Sequence, residues 1–471
     1  MSVRPALPAW WLDEALAWEG EAPDAPPLRG ELDVDVAIVG GGYTGLWTAL
    51  ALRELEPSVR VAVLEAERCG EGPSGRNGGF LHGYWSSLAR LRETFGDAGA
   101  LAVARAASGC IAGVREFCEL RGVDVWLREA PMLRVSAAPA QDEVVERSLR
   151  ATQELGVGDE AAALDSDEVR KRCASPRFRK GVLFREGATV QPARLARALR
   201  RAAADDPRVS LHELTPATVL PGRAPHVLET PDGRMTAGEV VLAVNAAAAG
   251  WRPLARRLTT FGSYIVLTEP VPELLEQIGW TGGESIVDGR MFLHYFRTTP
   301  DGRVLMGSGS GPIGFDGRLD ARFSADEPTA ARAEAGLRSL LPDLAHARIE
   351  RAWGGPIDVS ADHFPLFGTA RGTRIHYGAG YSGNGVGPSW LGGQILARLA
   401  LGVDDELTRL PLVNRRVRGL PPEPLKRLGG GLVRAALLRV EEAEQEGRRP
   451  PLAARAGGAL PRLLGLRIGT R

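Results

Sequence analysis

The stretch Asp35-Val-Ala-Ile-Val-Gly40-Gly41-Gly42-Tyr43-Thr44-Gly45-Leu-Trp-Thr-Ala-Leu constrains this chain most, because an apolar run enters a glycine-rich turn and continues at helical spacing. Strand, turn and helix in that order make a dinucleotide cradle. Gly40 permits the tight turn, Gly42 lets the backbone approach a pyrophosphate, and Gly45 lets helix and strand pack closely, so that the helix's unpaired N–H groups face the phosphates. Among 58 glycines the motif alone carries little weight. A second apolar run, Val61-Ala-Val-Leu64, ends in Glu65, twenty residues after Gly45, where a carboxylate accepts hydrogen bonds from ribose hydroxyls.

At 471 residues the chain exceeds one ordinary core, so two domains or one large composite is expected. Basic and acidic residues balance at 58 each, which argues against wholesale nucleic-acid binding. Only three of the basic residues are lysines, a genomic composition bias that deprives arginine counts of functional meaning. Cys69, Cys110, Cys118 and Cys173 form no CxxC pair and no metal-ligand spacing with histidine, so no metal is expected and a reduced, cytoplasmic protein is the simple reading. The first eleven residues lack the charged start and apolar core of a secretory signal, and nothing reaches eighteen continuous apolar residues, so no membrane span is expected.

Further along, Arg68-Cys-Gly-Glu-Gly-Pro-Ser-Gly-Arg-Asn-Gly-Gly79 forms a second glycine-rich loop with many free backbone donors. Helical spacing covers 87–120, 142–155 and 193–204, and 123–135 alternates like a strand. Asp165-Ser-Asp-Glu reads as a capped helix start. The run 238–245 is a strand apolar on both faces that ends at Asn245. From 261 to 313, with the turn Thr299-Pro-Asp-Gly302, the pattern is an antiparallel sheet, including a strand at 291–297. A third glycine-rich turn, Gly378-Ala-Gly-Tyr-Ser-Gly-Asn-Gly385, precedes a helix over 389–401, and the tail from 426 carries ten Lys/Arg against four Glu. That tail reads as an arm packed on its own protein in preference to a membrane-surface contact.

The residues Val39-Gly-Gly-Gly-Tyr-Thr-Gly-Leu, Leu64-Glu-Ala, Ser74-Gly-Arg-Asn-Gly-Gly79, Val240-Val-Leu-Ala-Val-Asn-Ala, Tyr295-Phe-Arg-Thr-Thr-Pro-Asp-Gly-Arg303 and Gly378 to Gly385 occur in an order that resembles the D-amino-acid oxidase and glycine oxidase superfamily of FAD-dependent oxidoreductases. The resemblance is nearest to gamma-glutamylputrescine oxidase-like members. It implies an α/β and α+β architecture: a Rossmann-like FAD-binding domain with an inserted antiparallel-sheet substrate domain. Expected divisions are 1–115, 186–258 and 351–402 for the FAD domain, 116–185 and 259–350 for the substrate domain, and 403–471 for a C-terminal extension. The cofactor residues implied are Gly40, Gly42, Tyr43, Thr44, Gly45, Glu65, Ser74, Arg76, Asn77, Gly78, Gly79, Asn245, Gly380, Gly383, Asn384, Gly385 and Val386. In that reading Arg76 and the loop donors stabilise phosphate charge and the anionic reduced flavin, and the last helix turns its N-terminus to the ring.

Candidates for the substrate side are His82, Tyr264, Tyr295 and Arg297. Alternation puts His294 with Phe296 on one sheet face and Tyr295 with Arg297 on the other, so that an aromatic wall beside a cation suits the far end of a polar amine. Tyr84 and the pair Asp362-His363 have structural readings as well. The family's cysteine-linked flavin would need a thiol where this chain has Gly354, and its histidine link falls at Arg76, so noncovalent FAD is expected, with Cys69 the remaining thiol near the cofactor. The family lysine for a substrate carboxylate falls at Gly387. The expected reaction is oxidation of a carbon-nitrogen bond to an imine that hydrolyses, with dioxygen as acceptor; a flavin dehydrogenase with another acceptor, a flavin-binding subunit needing a partner, and a nicotinamide enzyme are the alternatives. No oligomeric state follows.

Overall fold

The computed structural model describes residues 9–20 and 23–463; the first eight residues, residues 21–22 and the end of the tail lie outside the described residues. Five parallel strands make the centre of one sheet, in the order Val209–His212, Val61–Leu64, Gly30–Val39, Gly233–Leu242 and Ile375–Ala379. Their inner residues are buried on both faces, as parallel sheets covered by helices require. Val39 stands opposite both Leu64 and Leu242, and Leu242 opposite Tyr377, so these strands end together and the turns after them open on one edge. That edge is where open parallel sheets hold their ligands.

Small residues allow the helices their close approach. A Cβ at Gly45 would collide with the Gly40 carbonyl, which seats the helix Tyr43–Leu55 against its strand. A Cβ at Gly393 would come within 2.5 Å of the Trp47 Cβ, so the helix Val386–Leu401 lies directly on the first one. That helix begins three residues before the expected start, because Pro388 falls in the first turn, where no amide partner is lost.

The second sheet runs Ile349–Ser360, Leu258–Thr268, Val304–Ser308, His294–Thr298, Ser285–Asp288, Met132–Ser136, Lys180–Phe184, Ala161–Leu164. Every pairing is antiparallel except that of Ser285–Asp288 with Met132–Ser136, so the expected antiparallel sheet carries one parallel junction where its two segments of chain meet. One face packs on a core that includes Phe178, Trp280 and Phe296; the other faces the first sheet. The expected boundary at 350/351 cuts the strand Ile349–Ser360, which pairs along Leu258–Thr268. The expected strand over 123–135 is interrupted, because Pro131 donates no ladder hydrogen bond and Trp126 has φ 56°; only Arg128–Glu129 and Met132–Ser136 pair. Likewise the strand at 291–297 begins at His294, and Met291 to Leu293 form a loop.

The tail forms two helices, Leu425–Gln445 and Leu452–Leu463, packed on the body. Lys426 Nζ donates to the carbonyls of Ala255 (3.1 Å) and Leu258 (3.2 Å), Arg434 Nε to that of Ser310 (2.8 Å), and Glu441 accepts the Phe292 N–H (2.8 Å). One helical stretch, 85–121, is long and apolar enough to cross a bilayer by those measures alone. Its residues Val103, Ala107, Ile111 and Val114 lie instead in the main core, and the helix bends at Gly96 (φ 70°).

Candidate active site

A cavity of about 760 Å³ runs along the open edge of the first sheet and under the second. Its walls include Gly40, Gly42, Tyr43, Thr44, Glu65, Ser74, Arg76, Asn77, Gly78, Asn245, Gly383, Asn384, Gly385 and Val386, so the three glycine-rich turns converge on one space. Side chains stitch them together. Ser74 Oγ accepts the Tyr43 N–H (2.9 Å), the Thr44 and Tyr381 hydroxyls lie 2.8 Å apart, and Asn384 Nδ2 donates to the Gly83 carbonyl (3.0 Å). Glu65 accepts the N–H groups of Gly41 (2.7 Å) and Glu67 (3.0 Å), and burial raises its pKa. Two carboxylate oxygens have about four acceptor sites, so capacity for ribose hydroxyls is left.

Gly45, Gly79 and Gly380 do not line the cavity. Gly45 and Gly79 are packing positions: a Cβ on Gly79 would collide with the Val190 carbonyl. Gly380, at φ 84°, makes a turn, and its N–H donates to Asp358 (2.5 Å).

The loop 74–79 is held from behind by three buried side chains. Trp353 Nε1 donates to the Arg76 carbonyl (2.9 Å), Trp11 Nε1 to that of Asn77 (3.0 Å), and Arg297 Nε to that of Gly78 (2.6 Å). Planar trans peptides then turn the N–H groups of Asn77 and Gly78 the opposite way from the carbonyls of Arg76 and Asn77. Arg76 itself donates to the Glu71 carbonyl (2.7 Å), and burial lowers its pKa while Glu71 and Glu67 oppose that. A cradle of glycines at the strand ends, a loop with its carbonyls tied back, and a buried guanidinium fit an extended dinucleotide. Gly40 to Thr44 and Glu65 would hold its nucleotide half, Ser74 to Gly78 its pyrophosphate, and the turn 383–386 the far end.

The substrate candidates separate. Tyr295 lines the cavity, edge-on to Phe80, with its hydroxyl 2.8 Å from Ser263 Oγ; burial pushes its phenol up to about 12. His82 lines it too, its Nδ1 3.0 Å from the Gly83 carbonyl and its pKa lowered by burial. Arg297 does not: it is 1% exposed, stacks over Trp11 at 5.1 Å, and donates to Gly78 and Val190 carbonyls. Its alternation with Tyr295 is as expected, but its long stem carries the charge beneath the glycine loop. Tyr264 is also out of the cavity, its ring filling the space left by Gly262, Gly311 and Gly354 and its hydroxyl donating to the Arg322 carbonyl. Tyr84 is buried against Phe364, and Asp362 pairs with Arg415.

Three lining groups were not signalled by sequence pattern. Asp358, 1% exposed, is pushed up to about 7 by burial, against the Gly380 amide and other hydrogen bonds. Arg134 stands on the strand Met132–Ser136, and Gly429, Gly430 and Val433 of the tail close one side. Strand alternation places Arg134 on this face but says nothing of what it meets there.

Residues 35–399 match the family model DAO, described as FAD dependent oxidoreductase. The chain belongs to that family. This FAD-dependent oxidoreductase is 30% identical over 430 residues to the probable oxidoreductase OrdL of Rhizobium meliloti (strain 1021), covering 89% of this chain and 92% of that one. It is 30% identical over 385 residues to gamma-glutamylputrescine oxidoreductase of Escherichia coli (strain K12), covering 80% and 85%. The structure of glycine oxidase from Geobacillus kaustophilus superposes with a TM-score of 0.67 at 23% identity, covering 82% of this chain and all of that one, a likeness of fold.

Proposed function

We propose that this oxidoreductase oxidises a carbon-nitrogen bond of an amine or amino acid and passes the electrons to dioxygen. The observation that carries the reading is the continuity of the cavity from the dinucleotide cradle to a chamber lined by Tyr295, His82, Phe292 and Leu293. Bound FAD supplies the two-electron acceptor for the hydride that leaves the carbon beside nitrogen. The chain's own groups bind and orient. Burial keeps the Tyr295 phenol protonated and disfavours the His82 imidazolium, so both face a substrate nitrogen without charge. A neutral amine has the lone pair that stabilises the departing hydride's carbon as an iminium; water then hydrolyses the imine to a carbonyl compound and the free amine or ammonia. The apolar side chains of Phe292 and Leu293 limit water around that carbon. The names of two relatives, gamma-glutamylputrescine oxidoreductase and glycine oxidase, support a nitrogen-bearing substrate.

FAD is held without a covalent link in this reading. Burial first, then the Glu213 and Glu65 carboxylates, hold the Cys69 thiol well above the usual range, and a protonated thiol is a poor nucleophile. Acid precipitation of purified protein releases intact FAD; flavin that stays with the pellet contradicts this. The reaction is tested by anaerobic mixing with gamma-glutamylputrescine, putrescine, glycine and proline, one of which bleaches the visible flavin band. Admitting oxygen restores the band and yields hydrogen peroxide. Bleaching that oxygen fails to reverse favours the dehydrogenase reading, which the name of L-proline dehydrogenase from P.horikoshii, a fold neighbour, brings forward. Flavin that none of these compounds reduces counts against the proposal.

A further inference from the structure

The cavity floor carries a cation that forms no ion pair among the described residues. Arg134 lines the cavity, and its Nε is enclosed without a hydrogen-bond partner. One other nitrogen donates to Ser148 Oγ at 3.0 Å. The charges acting on Arg134 are those of Arg90 and Arg147, both guanidiniums, and together with burial, the larger cause, they bring its pKa down to about 10. It therefore stays protonated at neutral pH. A half-buried cation with an enclosed, unpartnered Nε among like charges is costly, and an anion beside it recovers that cost.

Sheet register locates this charge. Val287 stands opposite Arg134 on one side and Tyr295 on the other, so the three share one face in a row, and all three line the cavity. Two strand spacings separate Arg134 from Tyr295, roughly 9–10 Å between backbones. The Tyr295 ring lies over Gly307, away from Arg134, and its edge meets Gly78 of the cofactor loop. The row thus runs from a phenol beside the cofactor loop, across an apolar valine, to a guanidinium.

We propose that Arg134 is a substrate-binding residue that holds a carboxylate of the amine substrate at the end of the cavity away from Tyr295. The substrate is then an amine whose carboxylate is carried on a chain long enough to cross Val287. A guanidinium with two or more open N–H groups matches a carboxylate's two oxygens. Arg90, at the same end of the cavity, adds to the field there. This rests on the amine-oxidation reading for the word amine, while the anion site itself stands on Arg134.

The test is calorimetric titration of the full-length, flavin-loaded protein with glutarate and with its neutral diamide, glutaramide. The wild type binds glutarate about tenfold or more tighter than glutaramide, the range of a charge-assisted hydrogen bond. Arg134→Leu, with flavin content and melting midpoint retained, binds the two alike. Should that variant fail to fold, Arg134→Gln, which keeps a donor for Ser148 without the charge, carries the same comparison. Equal binding of glutarate and glutaramide by the wild type overturns the proposal, as does a preference for glutarate that survives loss of the charge. Binding needs no turnover, so a protein that prefers glutarate but oxidises no amine refutes the proposed reaction and leaves the anion site standing.

Discussion

Single residues set the tolerances of the cofactor site. Gly42 has φ −83° and ψ −174°, a conformation open to any residue, but its Cβ would lie 2.9 Å from the Ser74 oxygen that caps Tyr43. Gly42→Val is therefore expected to fold and to lose flavin: absorbance per protein falls about tenfold or more, while circular dichroism keeps its shape. Unchanged flavin content would remove Gly42 from the cradle. Asp358 makes a different demand. Its folded pKa of about 7 lies above the ordinary 3.8, so between those values the folded protein keeps a proton that the unfolded chain has released. Stability from this group is full below the unfolded value and is lost as pH rises through the folded one, on the order of a few kcal/mol. Melting midpoints of the apoprotein should fall between about pH 4 and about pH 7, and less so in Asp358→Asn. Equal slopes in the two proteins would mean that Asp358 titrates as an ordinary carboxyl.

At the scale of elements, the glycine loop 74–79 works because strands and helices distant in sequence hold its back. Arg297 takes two carbonyls, Gly78 and Val190, that would otherwise be buried unpaired. Replacing it with leucine should cost about 2–4 kcal/mol in urea unfolding and weaken FAD binding by an order of magnitude. A loss of stability with FAD affinity intact would separate the anchor from the site. Such roles explain where sequence reading succeeds and stops. The strand–turn–helix at 35–50, the acid at Glu65 and the two later glycine turns were legible, since their geometry depends on neighbours within a few residues. Tyr295 and Arg297 were legible as a face, yet a guanidinium on a long stem reaches around its neighbours, so its partners were not. Arg134 was hidden for another reason: in a chain with so few lysines an arginine is unremarkable, and only three-dimensional placement among other guanidiniums sets it apart.

Across the whole molecule, two sheets and a tail share one cavity. The tail read as an arm packed on its own protein, and it does pack there; that it forms a wall of the cavity had no local sequence signal. Gly429 lines the cavity, and a Cβ added there meets nothing within 4 Å. Gly429→Phe should thus place its ring in open space: flavin content and melting midpoint stay, and KM rises about tenfold or kcat/KM falls for the longest substrates first. Kinetics indifferent to the ring for every substrate would show the tail to be a bystander. The strands and turns that build the cradle are complete in the chain by Leu401, whereas Leu425 to Val433 and Pro461 supply the last walls. The cradle and its closing side therefore come from separate stretches of chain, so the flank of the cavity can change in the tail without a change in any cradle strand.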